Sequence, residues 1–283
     1  MDTEVDVGLG TAYERLAIYR LLDEWLASKV VDSGFEGPID NMAGIPGLHL
    51  IGLARRGARI TVGLGDQRAL ATVEAIYQTL GLADRLETRL LKPSDPLPER
   101  AYDLALTYNA LPLVENWRSF LGTVARTSRR WLVVALTNPS TYGASVRRLL
   151  KPFERQSHAE LFQHESVLPA RIEPELKRLG RIVAHAYFDC PWWPDLFVDA
   201  GDSLLSATLR RLPVVSRFAP GPRKDASSEG RFIYGKDNYP FLKPIEGNAE
   251  LKAALSRHPT FDKSRTVARL FGHLHAYLVE LQP

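Results

Sequence analysis

Apolar residues in the first half of the chain fall into two alternating patterns. Apolar side chains three and four residues apart predict helices at 11–28, 48–56, 67–80 and 115–128. Short apolar or β-branched runs predict strands at 29–32, 58–62, 86–91, 102–108 and 130–136. Strands that alternate with helices in this way are typical of a parallel sheet covered by helices on both faces. The ligand of such a sheet is expected at the carboxyl ends of the strands, where the strand order reverses.

The second half of the chain has a less regular pattern. Residues 145–158 and 170–179 are helical in part, and residues 181–188 predict a sixth strand. Residues 191–264 are rich in proline and in aromatic side chains that a disordered linker would lack, so we expect an inserted cap there. A final amphipathic helix is predicted by the helical spacing of Val267, Leu270, Phe271, Leu274, Leu278 and Leu281.

Together these elements predict an α/β protein with a Rossmann-like, doubly wound and mostly parallel sheet of six or seven strands. Residues 29–190 and 265–283 would form this domain, and residues 191–264 would form the cap. Residues 1–28 would form a helical segment over the ligand crevice.

Composition narrows the class of protein without identifying its chemistry. Apolar residues make up 45% of the 283 residues, which is ordinary for a globular protein with a core. The net charge of +3 does not indicate nucleic-acid binding, and no apolar run approaches the roughly 20 residues that span a bilayer. Cys190 is the single cysteine and the acidic start of the chain is unlike a signal peptide, so we expect a cytoplasmic protein.

Residues 32–37, Asp-Ser-Gly-Phe-Glu-Gly, are predicted to form a glycine-bearing turn after the first strand. Such a turn lets backbone amides approach an anionic or carboxylate-bearing ligand, and the following helix adds a positive dipole. The glycines do not have the Gly-x-Gly-x-x-Gly spacing, and the loop before the next helix is long. Both features disfavour a dinucleotide site.

This turn resembles motif I of class I S-adenosylmethionine-dependent methyltransferases. Further segments are similar to a prokaryotic subgroup of methyltransferase-domain proteins with a divergent motif I, namely residues 41–47, 53–62, 102–106, 191–195 and 273–277. The resemblance implies S-adenosylmethionine as the cofactor and methyl transfer to a small-molecule acceptor. It would place around the cofactor Asp32, Gly34, Glu36, Gly37, Asp66 and Asn109.

Two acidic residues of the resembled pattern are replaced in this chain. Leu64 stands where a carboxylate normally ends the second strand and binds the ribose hydroxyls, and Asp66 is its possible substitute. Leu91 stands near the usual adenine contact, with Asp95 as a possible substitute. Three alternatives therefore stay open: S-adenosylmethionine held by a shifted carboxylate, a different one-carbon or nucleotide ligand, or a degenerate binding protein without catalysis.

Catalytic candidates are sparse. His158 and Tyr108 could remove a proton from an acceptor, since histidine titrates near neutral pH and Tyr108 follows the fourth predicted strand. His164 is a similar candidate, although a solvated helix-end histidine is the more common case. His273 and His275 would point to opposite flanks of the predicted final helix, at the surface or the cleft edge, so no metal site is expected.

Overall fold

The computed structural model describes residues 9–38, 45–142, 164–190 and 264–282. Six helices are found there: α1 (Leu9–Leu26), α2 (Ile51–Arg55), α3 (Gln67–Thr79), α4 (Trp117–Thr127), α5 (Pro169–Leu179) and α6 (Arg265–Phe271). The strands in this part of the chain are β1 (Ser33–Glu36), β2 (Arg59–Leu64), β3 (Leu86–Leu90), β4 (Tyr102–Tyr108), β5 (Ser128–Thr137), β6 (Gly180–Phe188) and β7 (Leu274–Leu281).

The strands form one sheet in the order β3-β2-β1-β4-β5-β7-β6. β3, β2, β1, β4 and β5 are parallel to one another, whereas β7 is antiparallel to both of its neighbours. The chain runs outward from β1 to β3 and then crosses to β4 on the other side of β1, so the strand order reverses between β1 and β4. The carboxyl ends of β1 and β4 are therefore the expected place for a ligand.

Helices cover both faces of the sheet, and β5 shows how the strands serve two cores. Trp131, Val133 and Ala135 face the core that contains α1, α2 and α3. The alternate residues Leu132, Val134 and Leu136 face the core that contains α4 and α5. A strand buried on both faces has a continuously apolar sequence, and residues 131–136 of β5 follow this pattern. Within the described ranges no helix is long and apolar enough to cross a membrane.

The predicted first strand was wrong by four residues. The apolar pair before β1 is not in the sheet, and Val30 is 71% exposed. Instead, Ser33–Glu36 pairs with residues 59–62 of β2, and residues 34–36 also pair with residues 104–106 of β4. Pairing with two longer strands outweighs the higher β-propensity of the valines, because strand preference depends on packing against neighbours.

The predicted final helix was also wrong, because its second half is β7. Ser264 caps helix α6, because its hydroxyl accepts a hydrogen bond from Val267 N. The helix ends at Phe271, before Gly272. Residues 274–281 then form a strand between β5 and β6. Consecutive residues from Leu274 to Val279 are buried, so the helical spacing of Leu274 and Leu278 was a coincidence within a doubly covered strand.

Candidate functional site

A crevice lies at the carboxyl ends of β1, β2 and β4, where the strand order reverses. Its volume is about 10 Å³, which is room for about one water molecule and far below the roughly 300–1,000 Å³ of small-molecule sites. The residues that line the crevice are Glu36, Gly37, Pro46, Gly47, His49, Leu64, Thr107, Tyr108 and Ala110.

Gly37 allows β1 and β2 to converge at the floor of the crevice. Its φ is +138°, and a Cβ placed on it would lie 2.2 Å from the carbonyl oxygen of Gly63. Any side chain there would collide with backbone, which cannot move aside as a flexible side chain can. The glycine that the sequence placed at the ligand site is therefore required for the close approach of the two strands.

Glu36 ends β1 and is 4% exposed, with its carboxylate directed inward. Oε2 accepts hydrogen bonds from His49 N at 3.0 Å and from Leu50 N at 3.2 Å. Oε1 lies 2.5 Å from Nδ1 of the His49 ring. These bonds fasten the start of α2 to the end of β1. Glu36 thus shapes the crevice by anchoring its wall.

Arg15 extends this network from α1. Its Nη1 lies 3.1 Å from Nε2 of His49, and its Nη2 donates to the carbonyl of Ile45. Because a guanidinium has donors and no acceptor, His49 Nε2 must accept from Arg15, and Nδ1–H must donate to Glu36. The buried chain Arg15–His49–Glu36 consequently contains one cation, one neutral ring and one anion, and its net charge is zero.

Tyr108, the last residue of β4, packs against this network. Its ring stacks on His49 with centroids 4.0 Å apart, and its hydroxyl donates to Glu14 Oε1 at 2.5 Å. Burial raises the pKa of Tyr108 well above 10.0, and the carboxylates of Glu14 and Asp189 add to the rise. The hydroxyl therefore keeps its proton at neutral pH. In this state Tyr108 is a hydrogen-bond donor, which corrects its predicted role as a proton acceptor.

Two neighbours of Tyr108 differ in how their polar groups are satisfied. Asn109 has a φ of +49°, and its Oδ1 accepts a hydrogen bond from Thr137 Oγ1 at 3.2 Å, which ties β4 to β5. Thr107 lines the crevice, yet its buried hydroxyl has no hydrogen-bond partner among the described residues. Buried polar atoms are rarely left unpaired, so an unpartnered hydroxyl in a crevice wall points to a ligand.

Asp66 follows β2 and stands at the carboxyl edge of the sheet. Its Oδ1 accepts from Arg68 N at 2.8 Å and caps α3. Oδ2 makes no hydrogen bond within the described ranges, and the residue is exposed. Leu64, two residues earlier, has a buried and apolar side chain. Asp66, which the sequence suggested as the substitute for Leu64, therefore lies at the edge of the sheet, while Glu36 and Leu64 line the crevice itself.

Asp32 and Gly34 do not lie in the crevice, because β1 begins later than predicted. Asp32 precedes β1 at the amino edge of the sheet, where its backbone N donates to Asp103 Oδ2. Gly34 lies within β1, and a Cβ there would be 3.1 Å from Leu50 Cδ1. Their predicted cofactor contacts are corrected to an edge position and a packing position, respectively.

The histidine predictions have mixed outcomes. His158 lies outside the described residues, as do residues 191–263 of the predicted cap. His275 lies on β7 and is fully buried, and its Nε2 hydrogen-bonds to the carbonyl of Val167 at 3.1 Å. His273 precedes β7, with Nδ1 3.0 Å from Asp189 Oδ2. The predicted helix at these two histidines was wrong, because residues 274–281 form β7, and His275 is buried in the sheet.

No group of three or more metal-ligating side chains that could hold a metal ion was found among the described residues. The side chains of Glu36 and His49 in the crevice instead pair with each other.

Comparison with known proteins gives a match at the level of structure. Neither a family model nor a curated protein sequence matches the chain. The structure is similar to magnesium protoporphyrin IX methyltransferase from Synechocystis with bound S-adenosylhomocysteine, with 15% identity and a TM-score of 0.51 over 64% of this chain and 79% of that chain. It is also similar to a SAM-dependent methyltransferase from Aquifex aeolicus, with 11% identity and a TM-score of 0.45 over 63% and 87% of the two chains.

A third similar structure is a SAM-dependent methyltransferase from Thermotoga maritima, with 8% identity and a TM-score of 0.49 over 97% of this chain and 91% of that chain. The likeness to the Synechocystis enzyme shows that this chain has the class I S-adenosylmethionine-dependent methyltransferase fold. The fold predicted from the sequence is thereby confirmed.

Proposed function

We propose that the chain binds S-adenosylmethionine in the crevice at the ends of β1, β2 and β4 and transfers its methyl group to a small-molecule acceptor. One observation carries the proposal: in a sheet of methyltransferase fold, the crevice coincides with the reversal of strand order and contains the unpartnered hydroxyl of Thr107. A ligand that supplies a hydrogen-bond partner there would remove the cost of burying that hydroxyl.

The residues around the crevice fit such a ligand. Asp66 presents a carboxylate oxygen at the edge of the sheet that could accept hydrogen bonds from ribose hydroxyls. Gly37 keeps the floor free of side chains, and Thr107 offers a buried hydroxyl. S-adenosylmethionine, when bound, supplies a sulfonium methyl group that is open to displacement by a nucleophile.

The chain would contribute mainly binding and orientation, because methyl displacement depends on alignment of the donor and the nucleophile. The Arg15–His49–Glu36 chain holds the wall from residue 45 to residue 50 against β1. Tyr108, stacked on His49 and bonded to Glu14, forms the adjoining wall. Both walls are held by the hydrogen bonds that these side chains make.

Calorimetry with S-adenosylmethionine and S-adenosylhomocysteine tests the proposal. Asp66→Ala should lower the affinity for both ligands about ten- to a hundredfold, because a charge-assisted hydrogen-bond pair is lost. Asn116→Ala is the matched control, since Asn116 caps α4 by the same kind of bond to Ser119 N and lies on another helix. Both variants should lose about 1 kcal/mol of stability, but only Asp66→Ala should weaken binding. Binding that is equal in both variants would exclude Asp66 as the ribose ligand.

A second candidate is a binding protein of the same fold that has lost turnover. The observation in its favour is that Leu64 is apolar and buried at the end of β2, while Glu36 is wholly engaged in internal bonds. Affinity for S-adenosylmethionine without methyl transfer to any acceptor would support this candidate. The absence of binding heat at millimolar ligand would instead refute the first proposal.

A further inference from the structure

A groove lined by four arginines opens at the amino edge of the sheet. Its volume is about 550 Å³, which lies within the roughly 300–1,000 Å³ of small-molecule sites. Arg100 precedes β4, Arg129 and Arg130 lie near the start of β5, and Arg181 lies near the start of β6. Among the described residues that line this basic groove, the one carboxylate is that of Glu280 on β7. The lining is therefore strongly positive.

The basic groove is remote from the crevice at the other edge of the sheet. β4 runs from Tyr102, near Arg100, to Tyr108 in the wall of the crevice, a stretch of 7 residues. At about 3.3 Å per residue the two sites are roughly 20 Å apart. A ligand in the basic groove would therefore not touch the methyl donor, and its binding does not depend on the function proposed above.

A β-bulge in β5 allows two consecutive arginines to line the basic groove. Residues 102 and 104 of β4 pair with residues 128 and 131 of β5, so β5 has one more residue than β4 over this stretch. Consecutive side chains of a regular strand point to opposite faces, and a bulge breaks this alternation. Arg129 and Arg130 consequently reach the same groove.

The side chain of Ser128 holds the bulge in place. Its hydroxyl accepts hydrogen bonds from the backbone N of Arg130 at 3.2 Å and of Trp131 at 3.1 Å. The same hydroxyl donates to the carbonyl of Asp103 on β4 at 3.0 Å. Bulges that re-aim a side chain are common next to functional sites, and the bonds of Ser128 fix this one.

Two of the four guanidinium groups are held by carboxylates. Arg129 Nε donates to Asp103 Oδ1 at 2.8 Å, and Arg181 Nη2 donates to Glu280 Oε2 at 2.6 Å. A guanidinium has five N–H donors, so each of these arginines keeps donors for a further partner. The bond from Arg181 also neutralises the one carboxylate of the lining, which would otherwise repel an anion.

The other two arginines form no ion pair with a carboxylate in the described part of the chain. Arg130 lies over the ring of Trp131, 5.0 Å from its centroid, which orients the guanidinium without using its donors. Arg100 has a φ of +50°, and its backbone N donates to the carbonyl of Arg126 at 2.7 Å. Such a conformation persists only where the surrounding structure fixes it, so the base of the Arg100 side chain is set in place.

We infer that the basic groove binds a small ligand with two linked phosphate groups, which Arg100 and Arg130 contact. Like charges gathered in a groove repel one another, and an anion relieves this repulsion. The planar fork of a guanidinium matches a phosphate group, to which it can donate two parallel hydrogen bonds. Two arginines without carboxylates provide for two such groups.

The shape of the basic groove favours a small ligand over a nucleic acid. Its described lining contains no aromatic side chain on which a base could stack. Its volume suits a compact molecule. The diphosphate could come from inorganic pyrophosphate or from a nucleoside diphosphate, which present the same two groups to the arginines.

Calorimetry of the full chain with pyrophosphate tests the site. Arg100→Gln and Arg130→Gln should each weaken binding about tenfold or more, because a charge-assisted hydrogen bond is lost. Arg171→Gln is the matched control, since Arg171 is an exposed arginine on α5 that does not line the groove. It removes the same charge and should change the affinity less than twofold. An equal loss in all three variants, or no heat at millimolar pyrophosphate, would overturn the inference.

A panel of anions identifies the class of ligand. Pyrophosphate that binds as tightly as ADP would support a diphosphate without a nucleoside. Tighter binding of ADP that is weakened by Arg130→Gln would support a nucleoside diphosphate. Citrate that binds as tightly as pyrophosphate would refute the choice of phosphate. A short DNA duplex that binds more tightly than pyrophosphate, and is weakened by the same two substitutions, would refute the choice of a small ligand.

Amide signals in NMR spectra locate the bound ligand. Gly180 lines the basic groove, whereas Gly37 lines the crevice. Pyrophosphate should shift the signal of Gly180 and leave that of Gly37 in place. A shift of Gly37 alone would put the anion in the crevice and overturn the inference. Neither probe involves S-adenosylmethionine, so the result stands whether or not the chain binds that cofactor.

Discussion

Replacement of Glu36 by glutamine tests the buried network of the crevice most directly. The substitution keeps the shape of the side chain but removes its charge, and one of its two oxygens becomes an N–H donor. That donor would face either the ring N–H of His49 or the backbone amides of His49 and Leu50, which are also donors.

The expected loss of stability follows from this geometry. A buried donor or acceptor that is left unsatisfied costs about 1–3 kcal/mol, and more where a charged group is involved, because no water replaces the lost hydrogen bond. Glu87→Gln is the matched control: it breaks the Glu87–Arg89 pair, whose side chains are 56% and 41% exposed. An exposed pair is worth about 0–1 kcal/mol.

Urea unfolding followed by tryptophan fluorescence measures both losses. A loss for Glu36→Gln no larger than that for Glu87→Gln would refute the claim that the donors around Glu36 require a carboxylate. A double-mutant cycle with Arg15→Met adds a second criterion. The double variant should lose less stability than the sum of the two single variants, because Arg15 and Glu36 both hold the ring of His49 and belong to one hydrogen-bond network.

Two further predictions concern stability. Burial lowers the pKa of His275 to about 3 from 6.5, with a smaller effect of His185, so the unfolded chain takes up a proton that the folded chain excludes. The free energy of unfolding should thus fall as the pH falls from 6.5 toward 3, by up to about 1.4 kcal/mol per pH unit. Urea titrations at several pH values should show a weaker dependence of this free energy on pH in His275→Phe. An identical slope in both proteins would contradict the assignment. In thermal melts, Gly37→Ala should lower the melting temperature far more than Gly57→Ala. Both glycines have a positive φ, but only at Gly37 would the added Cβ collide with the backbone, at the carbonyl oxygen of Gly63. Equal melting temperatures of the two variants would count against the close approach.

The elements that sequence predicts well are those with a complete local pattern. The strand predicted at 102–108 is β4, Tyr102–Tyr108, and the helix predicted at 67–80 is α3, Gln67–Thr79. Helix α3 carries its own boundaries, with the cap at Asp66 before it and Gly81 at a φ of +69° after it. Such signals act between residues a few positions apart, so no knowledge of the rest of the fold is needed.

The two errors in the sheet have the opposite origin. β1 consists of Ser33–Glu36, which has little β-propensity and is a strand because two longer strands pair with it. β7 fits a helical pattern as well as a strand, and its place between β5 and β6 decides the outcome. In both cases the partners lie far away in the chain, so a local pattern cannot choose between the alternatives.

Sequence alone determined that strands alternate with helices, and hence that a ligand crevice opens at the carboxyl edge with Gly37 and Asp66 beside it. It did not determine which charged groups are buried together. In the sequence, His49 lies 13 residues from Glu36 and 34 residues from Arg15. His273 lies 84 residues from Asp189. Only the tertiary structure brings them together, and only then do burial and the donor–acceptor match assign the proton positions on each ring. Local periodicity reflects contacts within a few residues, whereas the chemistry of a buried polar group depends on every side chain packed around it.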